Sequence, residues 1–207
     1  MGGDYLLTFY FDSVDNDEIF NMPVEKLRWM VLAALMASLT AVGAYIYIPI
    51  GPVPIILSTF FVILSGLLLG SRWGLISMAI YLLVGAMGIP VFAGGKGGFA
   101  YFLGPTGGYL FGYLLSAWMT GLISERSTRR FFWDVAAVVI GSLILYGCGV
   151  LWLKAVTRMS WPKTLLAGVI PFLIGDAIKA AAAVILARSV RPMLSRLFQS
   201  PSTHFSS

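Results

Sequence analysis

From Trp29 to Ala187 the chain is a succession of apolar runs, most of them long enough to approach the thickness of a bilayer's hydrocarbon core. Apolar residues make up 58% of the chain and charged residues 11%, against about 25% charged in a soluble domain. A water-soluble globular fold would leave most of these runs exposed, so the pattern requires an integral membrane protein. The runs fall at residues 29–48, 55–69, 74–87, 107–123, 135–153 and 164–187. They predict an all-α integral membrane protein of six transmembrane helices, with a Gly-rich external loop between the third and fourth. Residues 1–25 form an acidic N-terminal leader containing Asp4, Asp12, Asp15, Asp17, Glu18 and Glu25. Residues 26–190 form the membrane domain and residues 191–207 a C-terminal tail. No basic stretch precedes the first apolar run, so a cleaved signal peptide is not expected.

Charge sets the expected orientation. With both termini in the cytoplasm, the inner connectors hold Lys26, Arg28, Arg72, Arg126, Arg129, Arg130, Arg188, Arg191 and Arg196. The outer ones hold Lys96, Lys154, Arg158 and Lys163. The excess of inner Lys and Arg supports this topology in a cytoplasmic membrane, and it places the Gly-rich loop outside. The net charge of +5 is spread over these connectors and is not a nucleic-acid footprint.

The stretch Gly88–Gly108 reads GIPVFAGGKGGFAYFLGPTGG, with eight glycines. Such a segment is a poor membrane helix. Irregular backbone beside a bilayer is tolerated where it is buried in protein or lines a cavity, so the stretch is expected to cover a binding cavity. Gly94-Gly95-Lys96-Gly97-Gly98 suits a nest of main-chain N–H groups, with a lysine beside it, for a carboxylate or other anion. An ordinary flexible loop with an incidental lysine is the simpler alternative. It is not a P-loop, because the lysine is followed by glycine rather than Ser or Thr. Gly95-x-Gly97-x-x-Ala100 matches a dinucleotide fingerprint only loosely and lacks the strand before it. Phe92 and Tyr101 belong to a set of aromatics around the loop that can enclose an apolar or sulfur-bearing ligand.

Asp176 and Lys179 lie in the last apolar run, in PFLIGDAIKAAAAVILA. Three residues apart, they share a helical face. Each charge inside a membrane segment costs about 2.5–3.5 kcal/mol on insertion scales. The pair therefore holds helices together or meets a ligand. As an acceptor beside a donor it suits a cyclic urea or amide: N–H groups to Asp176, the carbonyl to Lys179. The rest of the membrane region is chemically sparse. His204, the only histidine, is in the tail, the single cysteine is Cys148, and the asparagines and glutamine lie in the leader and tail. No metal site, cofactor or Ser-His-Asp catalyst is expected, and an intramembrane enzyme is the weaker alternative. Ala33, Ala37 and Ala41 form a small-residue ridge that admits close approach of another helix, inside the chain or from a partner.

Three stretches, GPVPIILSTFFVILSGLLLG, then YLLVGAMGIPVFAGGKGGFAYFLGPTGGYLFGY, then FLIGDAIKA, resemble the BioY family, the biotin-specific S components of energy-coupling factor transporters. The resemblance covers residues 26–190. It implies a six-helix membrane protein that captures biotin from outside and works with a transmembrane T component and two ABC-type ATPases, dedicated or shared. It further implies that Asp176 and Lys179 bind the substrate's polar head and that Ala33, Ala37 and Ala41 contact the T component. An S component or small carrier for another vitamin is the nearest alternative. The chain has no Walker motif, so energy is expected from partners.

Overall fold

The computed structural model describes residues 24–49, 51–127 and 130–198. The expected leader thus lies almost wholly outside the described residues, as does Arg129. Helix α1 runs Val24–Tyr45. A small hairpin follows, β1 Tyr47–Ile48 and β2 Ile55–Ile56, antiparallel with Tyr47 opposite Ile56 and Ile48 opposite Ile55. The chain continues as α2 Ser58–Ala86, a 3₁₀ turn at Phe99–Leu103, α3 Gly107–Arg126 and α4 Phe131–Thr157. Short α5 covers Trp161–Gly168, a 3₁₀ turn covers Ile170–Phe172, and α6 runs Leu173–Phe198. The architecture is helical; among the described residues the departures from an all-α reading are this hairpin and an isolated bridge between Phe92 and Lys96. The hairpin's strands are two residues long because Pro49, Pro52 and Pro54 flank and fill the connection and cannot donate to a ladder.

Among the described residues, four helical stretches are long and apolar enough to cross a membrane: Val24–Tyr45, Ser58–Ala86, Phe131–Thr157 and Trp161–Arg196. Six runs in the sequence become four because two of them are halves of α2. Gly70 breaks that helix with φ 81° and ψ −173°, a conformation that costs little only for glycine. The chain folds back there, and a Cβ on Gly74 would stand 3.1 Å from the Cα of Gly66. The tip is also too tight for a side chain: a Cβ on Gly70 would lie 1.7 Å from Glu125 Oε1. The fourth run is α3, which is 20 residues long but more polar. The last run is interrupted as well. Pro171 has no N–H to continue a helix through the turn after Gly168, so α6 begins at Leu173 rather than near Thr164. It then continues past Arg191, where the sequence suggested a tail, through Pro192 to Phe198.

α2 packs against α1, α3 and α6, and α3 lies between α2 and α4. One apolar cluster, including Met78, Phe92, Phe102 and Tyr113, lies under the Gly-rich loop. A second, including Ala33, Leu67, Val138 and Val184, joins α1, α2, α4 and α6. Ala33 and Ala37 are buried in these clusters, at 0% and 5% exposure, and Ala41 packs on the first. The small-residue ridge is therefore spent on close packing inside the chain. The missing side-chain bulk at Ala33, Ala37 and Ala41 lets α1 approach its own neighbours. Gly43 shows the same closeness, since a Cβ there would stand 2.9 Å from the main-chain nitrogen of Ser58 in α2.

A sealed ion pair ties the end of the bundle near Gly70. Asp134, fully buried, receives Arg191 Nη1 at 2.7 Å and Nη2 at 2.9 Å on its two oxygens. Ser124 donates to it at 2.7 Å, and Arg188 stands 3.5 Å away. Arg191 also donates to the carbonyl of Leu67 at 3.0 and 3.2 Å. That carbonyl is left over at the end of the first half of α2, where a cation is favourable. Asp134 lies in the first turn of α4, where the dipole favours an anion.

Candidate functional site

The site forms where α6 begins. Because Pro171 delays that helix, Asp176 falls in its first turn rather than mid-helix, so the dipole offsets part of its burial cost. Lys179 is one turn on, and its Nζ lies 2.8 Å from Asp176 Oδ1. The β-hairpin lies across the pair. Lys179 donates to the carbonyl of Ile56 at 2.7 Å and to Thr59 Oγ1 at 3.2 Å. Thr59 is 3.4 Å from Asp176 Oδ1, and the Tyr146 hydroxyl of α4 donates to Asp176 Oδ2. Both side chains of the pair keep a narrow opening, at 15% exposure for Asp176 and 14% for Lys179.

That opening gives onto a cleft bounded on its polar side by Asp176, Lys179 and Thr59. Its walls are tyrosines: Tyr81 from α2, Tyr109 and Tyr113 from α3, and Tyr146 from α4. Val53 and Pro54 of the hairpin connection, Leu145 and Phe172 complete the apolar surface. The cleft encloses about 570 Å³, its open mouth included. Apolar walls over one charged floor are the ordinary make-up of a small-molecule site.

The Gly-rich stretch packs over the same end of the bundle. Phe92 N–H donates to the Lys96 carbonyl at 2.8 Å, while Gly95 and Lys96 N–H donate back to the Phe92 carbonyl at 3.0 and 3.3 Å. Gly98 N–H reaches the Gly85 carbonyl of α2 at 2.7 Å. The Tyr45 hydroxyl donates to the Pro90 carbonyl, and Tyr81 donates to that of Val91 at 3.2 Å. Phe92 is fully buried and packs against Tyr81, Tyr101 and Phe102. Gly85 makes room for it: a Cβ there would lie 2.1 Å from Phe92 Cζ.

Of the residues singled out in the sequence, Asp176, Lys179 and Tyr101 line the cleft. Ala93 also lines it, but Phe92 lies behind the wall as core. Gly94, Gly95, Lys96, Gly97 and Gly98 are not part of the lining, and Lys96 is exposed. The N–H groups of Gly95, Lys96 and Gly98 are spent within the fold, which leaves fewer donors for an anion than the glycine content suggested. The sequence reading did not single out Thr59 and Tyr146. Tyr146 had a signal, as a lone hydroxyl-bearing aromatic within the apolar run of α4. Thr59 had only its place at the start of a helix. Among the described residues no group of three or more His, Cys, Asp or Glu is placed to hold a metal ion.

Comparison with known proteins agrees with this architecture. A "probable biotin transporter BioY" of Pyrococcus horikoshii is 43% identical over 166 residues, covering 80% of this chain and 98% of the relative. A "biotin transporter BioY" of Thermotoga maritima is 41% identical over 167 residues, covering 81% and 98%. The crystal structure of the S-component for biotin from an ECF-type ABC transporter superposes with a TM-score of 0.78 at 30% identity, covering 83% of this chain and 94% of that one. The family model described as "BioY family" matches residues 16–196. With residues 16–196 matched by the family model and relatives at 41–43% identity covered almost end to end, the chain belongs to the BioY family.

Proposed function

We propose that this chain captures biotin from outside the cell as the substrate-binding S component of an ECF-type transporter. The observation that carries the reading is the Asp176–Lys179 pair, the charged floor of a tyrosine-walled cleft. A bicyclic urea presents two N–H donors and one carbonyl at its polar end and an apolar, sulfur-bearing face elsewhere. Asp176 takes an N–H, and Lys179 turns from Thr59 to the ureido carbonyl. The tyrosines cover the rings. The Gly88–Gly108 loop, with Phe92, Tyr101 and Gly94–Gly98, closes the mouth, and Lys96 on its exposed side attracts the valerate carboxylate.

In this reading all six apolar runs cross the cytoplasmic membrane, the two halves of α2 and α3 included. Both termini lie in the cytoplasm. The work of concentration comes from a T component and two ABC-type ATPases, dedicated or shared, and the chain itself performs no chemistry on its ligand. Its partner-facing surface on α1 is the side away from Ala33 and Ala37. Equilibrium binding of labelled biotin to the purified chain tests the reading. Saturable binding without turnover, lost in D176A, supports it. Equal binding of wild type and D176A, or a folded wild type that binds no biotin, removes it.

A further inference from the structure

The polar floor of the cleft is already largely subscribed. The three N–H donors of Lys179 go to the Ile56 carbonyl at 2.7 Å, Thr59 Oγ1 at 3.2 Å and Asp176 Oδ1 at 2.8 Å. Oδ1 of Asp176 faces both Lys179 and Thr59. Oδ2, its other oxygen, accepts from Tyr146, which itself lines the cleft. Three of the roughly four acceptor sites of the carboxylate are taken, and the one on Oδ2 is held by a side chain that lines the cleft, so a ligand that approaches Oδ2 from the cleft competes with that hydroxyl. The Ile56 carbonyl is main chain within the hairpin, and Asp176 and Lys179 belong to one helix turn. Tyr146 stands on a different helix, α4, and its hydroxyl can leave Oδ2 without disturbing the pair.

We propose that Tyr146 is an affinity-setting placeholder: its hydroxyl occupies, on Asp176 Oδ2, the position that a ureido N–H of the ligand takes in the complex. This rests on the reading of Asp176 and Lys179 as the site of the polar head. Binding is then an exchange of one donor for another. A ligand that brings an N–H restores the bond that Tyr146 gives up. A ligand without one leaves a carboxylate oxygen bare in a low-dielectric slot, a heavily penalised state. The placeholder lowers affinity for every ligand that displaces it and keeps Asp176 satisfied while the cleft awaits one.

The test uses the full chain purified in detergent and two probes, biotin and biotin methylated on both ureido nitrogens. Removing the hydroxyl with Y146F leaves Oδ2 open to the ligand, so biotin binds about three- to tenfold tighter, the range of one hydrogen bond to a charged group softened by water. The dimethylated probe is spared the same displacement, so it gains by a like factor, and the preference for biotin, which Asp176 sets, stays as in wild type. Y146M also lacks the hydroxyl and must reproduce the gain, which guards against a poorly folded Y146F. Weaker or unchanged biotin binding in both variants, or a gain for biotin that the dimethylated probe does not share, overturns the proposal. D176A is measured alongside. If it binds biotin like wild type, the reading of the polar head falls. If it loses binding while the Tyr146 variants bind biotin no tighter than wild type, only the placeholder falls.

Discussion

Among the described residues, the Asp134–Arg191 and Asp176–Lys179 pairs have surroundings that differ in almost every respect. Asp134 and Arg191 are sealed at 0% and 9% exposure, joined through both oxygens, and backed by Ser124 and the Leu67 carbonyl. Their neighbours are the broken end of α2, the start of α4 and the late turns of α6. Asp176 and Lys179 keep an opening to a cleft, and two of the groups that complete them, Thr59 and Tyr146, are hydroxyls able to rotate. The first pair is enclosed, with its partners packed around it. The second opens onto a cavity and shares its carboxylate with a tyrosine that lines that cavity. A buried charge pair is thus no functional signal by itself; the space beside it and what lines that space distinguish the two uses.

Breaking each pair should therefore fail in a different way. The largest effect is on folding: D134A leaves Arg191 buried and unpaired and should cost about 3–5 kcal/mol of stability, read as a lower unfolding midpoint in detergent. The remaining folded protein should bind biotin normally. Replacing both partners, as D134L/R191M, should recover most of that loss, since an apolar pair of similar volume often substitutes for a buried ion pair. The cleft pair should not recover in this way: D176L/K179M should fold yet bind no biotin in the same assay. Of its single changes, D176A should weaken biotin by about 100-fold, the upper end for one hydrogen bond to a charged group.

Smaller effects probe the loop. G85A drives a Cβ into the Phe92 ring and should displace the wall on which Tyr101 stacks. An overpacked core position costs about 1–3 kcal/mol, so biotin should dissociate faster with the pair intact, which a dissociation time course would detect. Smallest is K96A. A single exposed cation should slow biotin association a few-fold at low ionic strength and have little effect at high salt, where exposed charges are screened within about 10 Å or less. An equally large effect at high salt would place Lys96 against the bound ligand instead.

Much of this was legible in the sequence because it depends on local pattern. Six apolar runs follow from hydropathy, and Asp176 and Lys179 stand out because charge is so costly there. What was not legible depends on where helices break and what crosses them. Pro171 and Gly168 move the start of α6 and put Asp176 in a first turn, and only the folded chain brings the Ile56 carbonyl over Lys179. The Ala33–Ala37–Ala41 ridge has the right spacing for close helix contact, but spacing cannot say whose helix approaches; α2 of the same chain does. The loop's glycines suggested anion-binding donors, yet several of those N–H groups close the loop on itself and on Gly85. Tyr146 and Thr59 are far from Asp176 in sequence, and neither charge nor periodicity marks them as its partners.

The most direct test is one titration of labelled biotin against purified wild-type chain and D176A, with folding of both verified by thermal unfolding. Wild type should saturate, and folded D176A should bind about 100-fold more weakly. Superimposable curves from two folded proteins would contradict the assignment of the cleft's charged floor as the place where biotin is held.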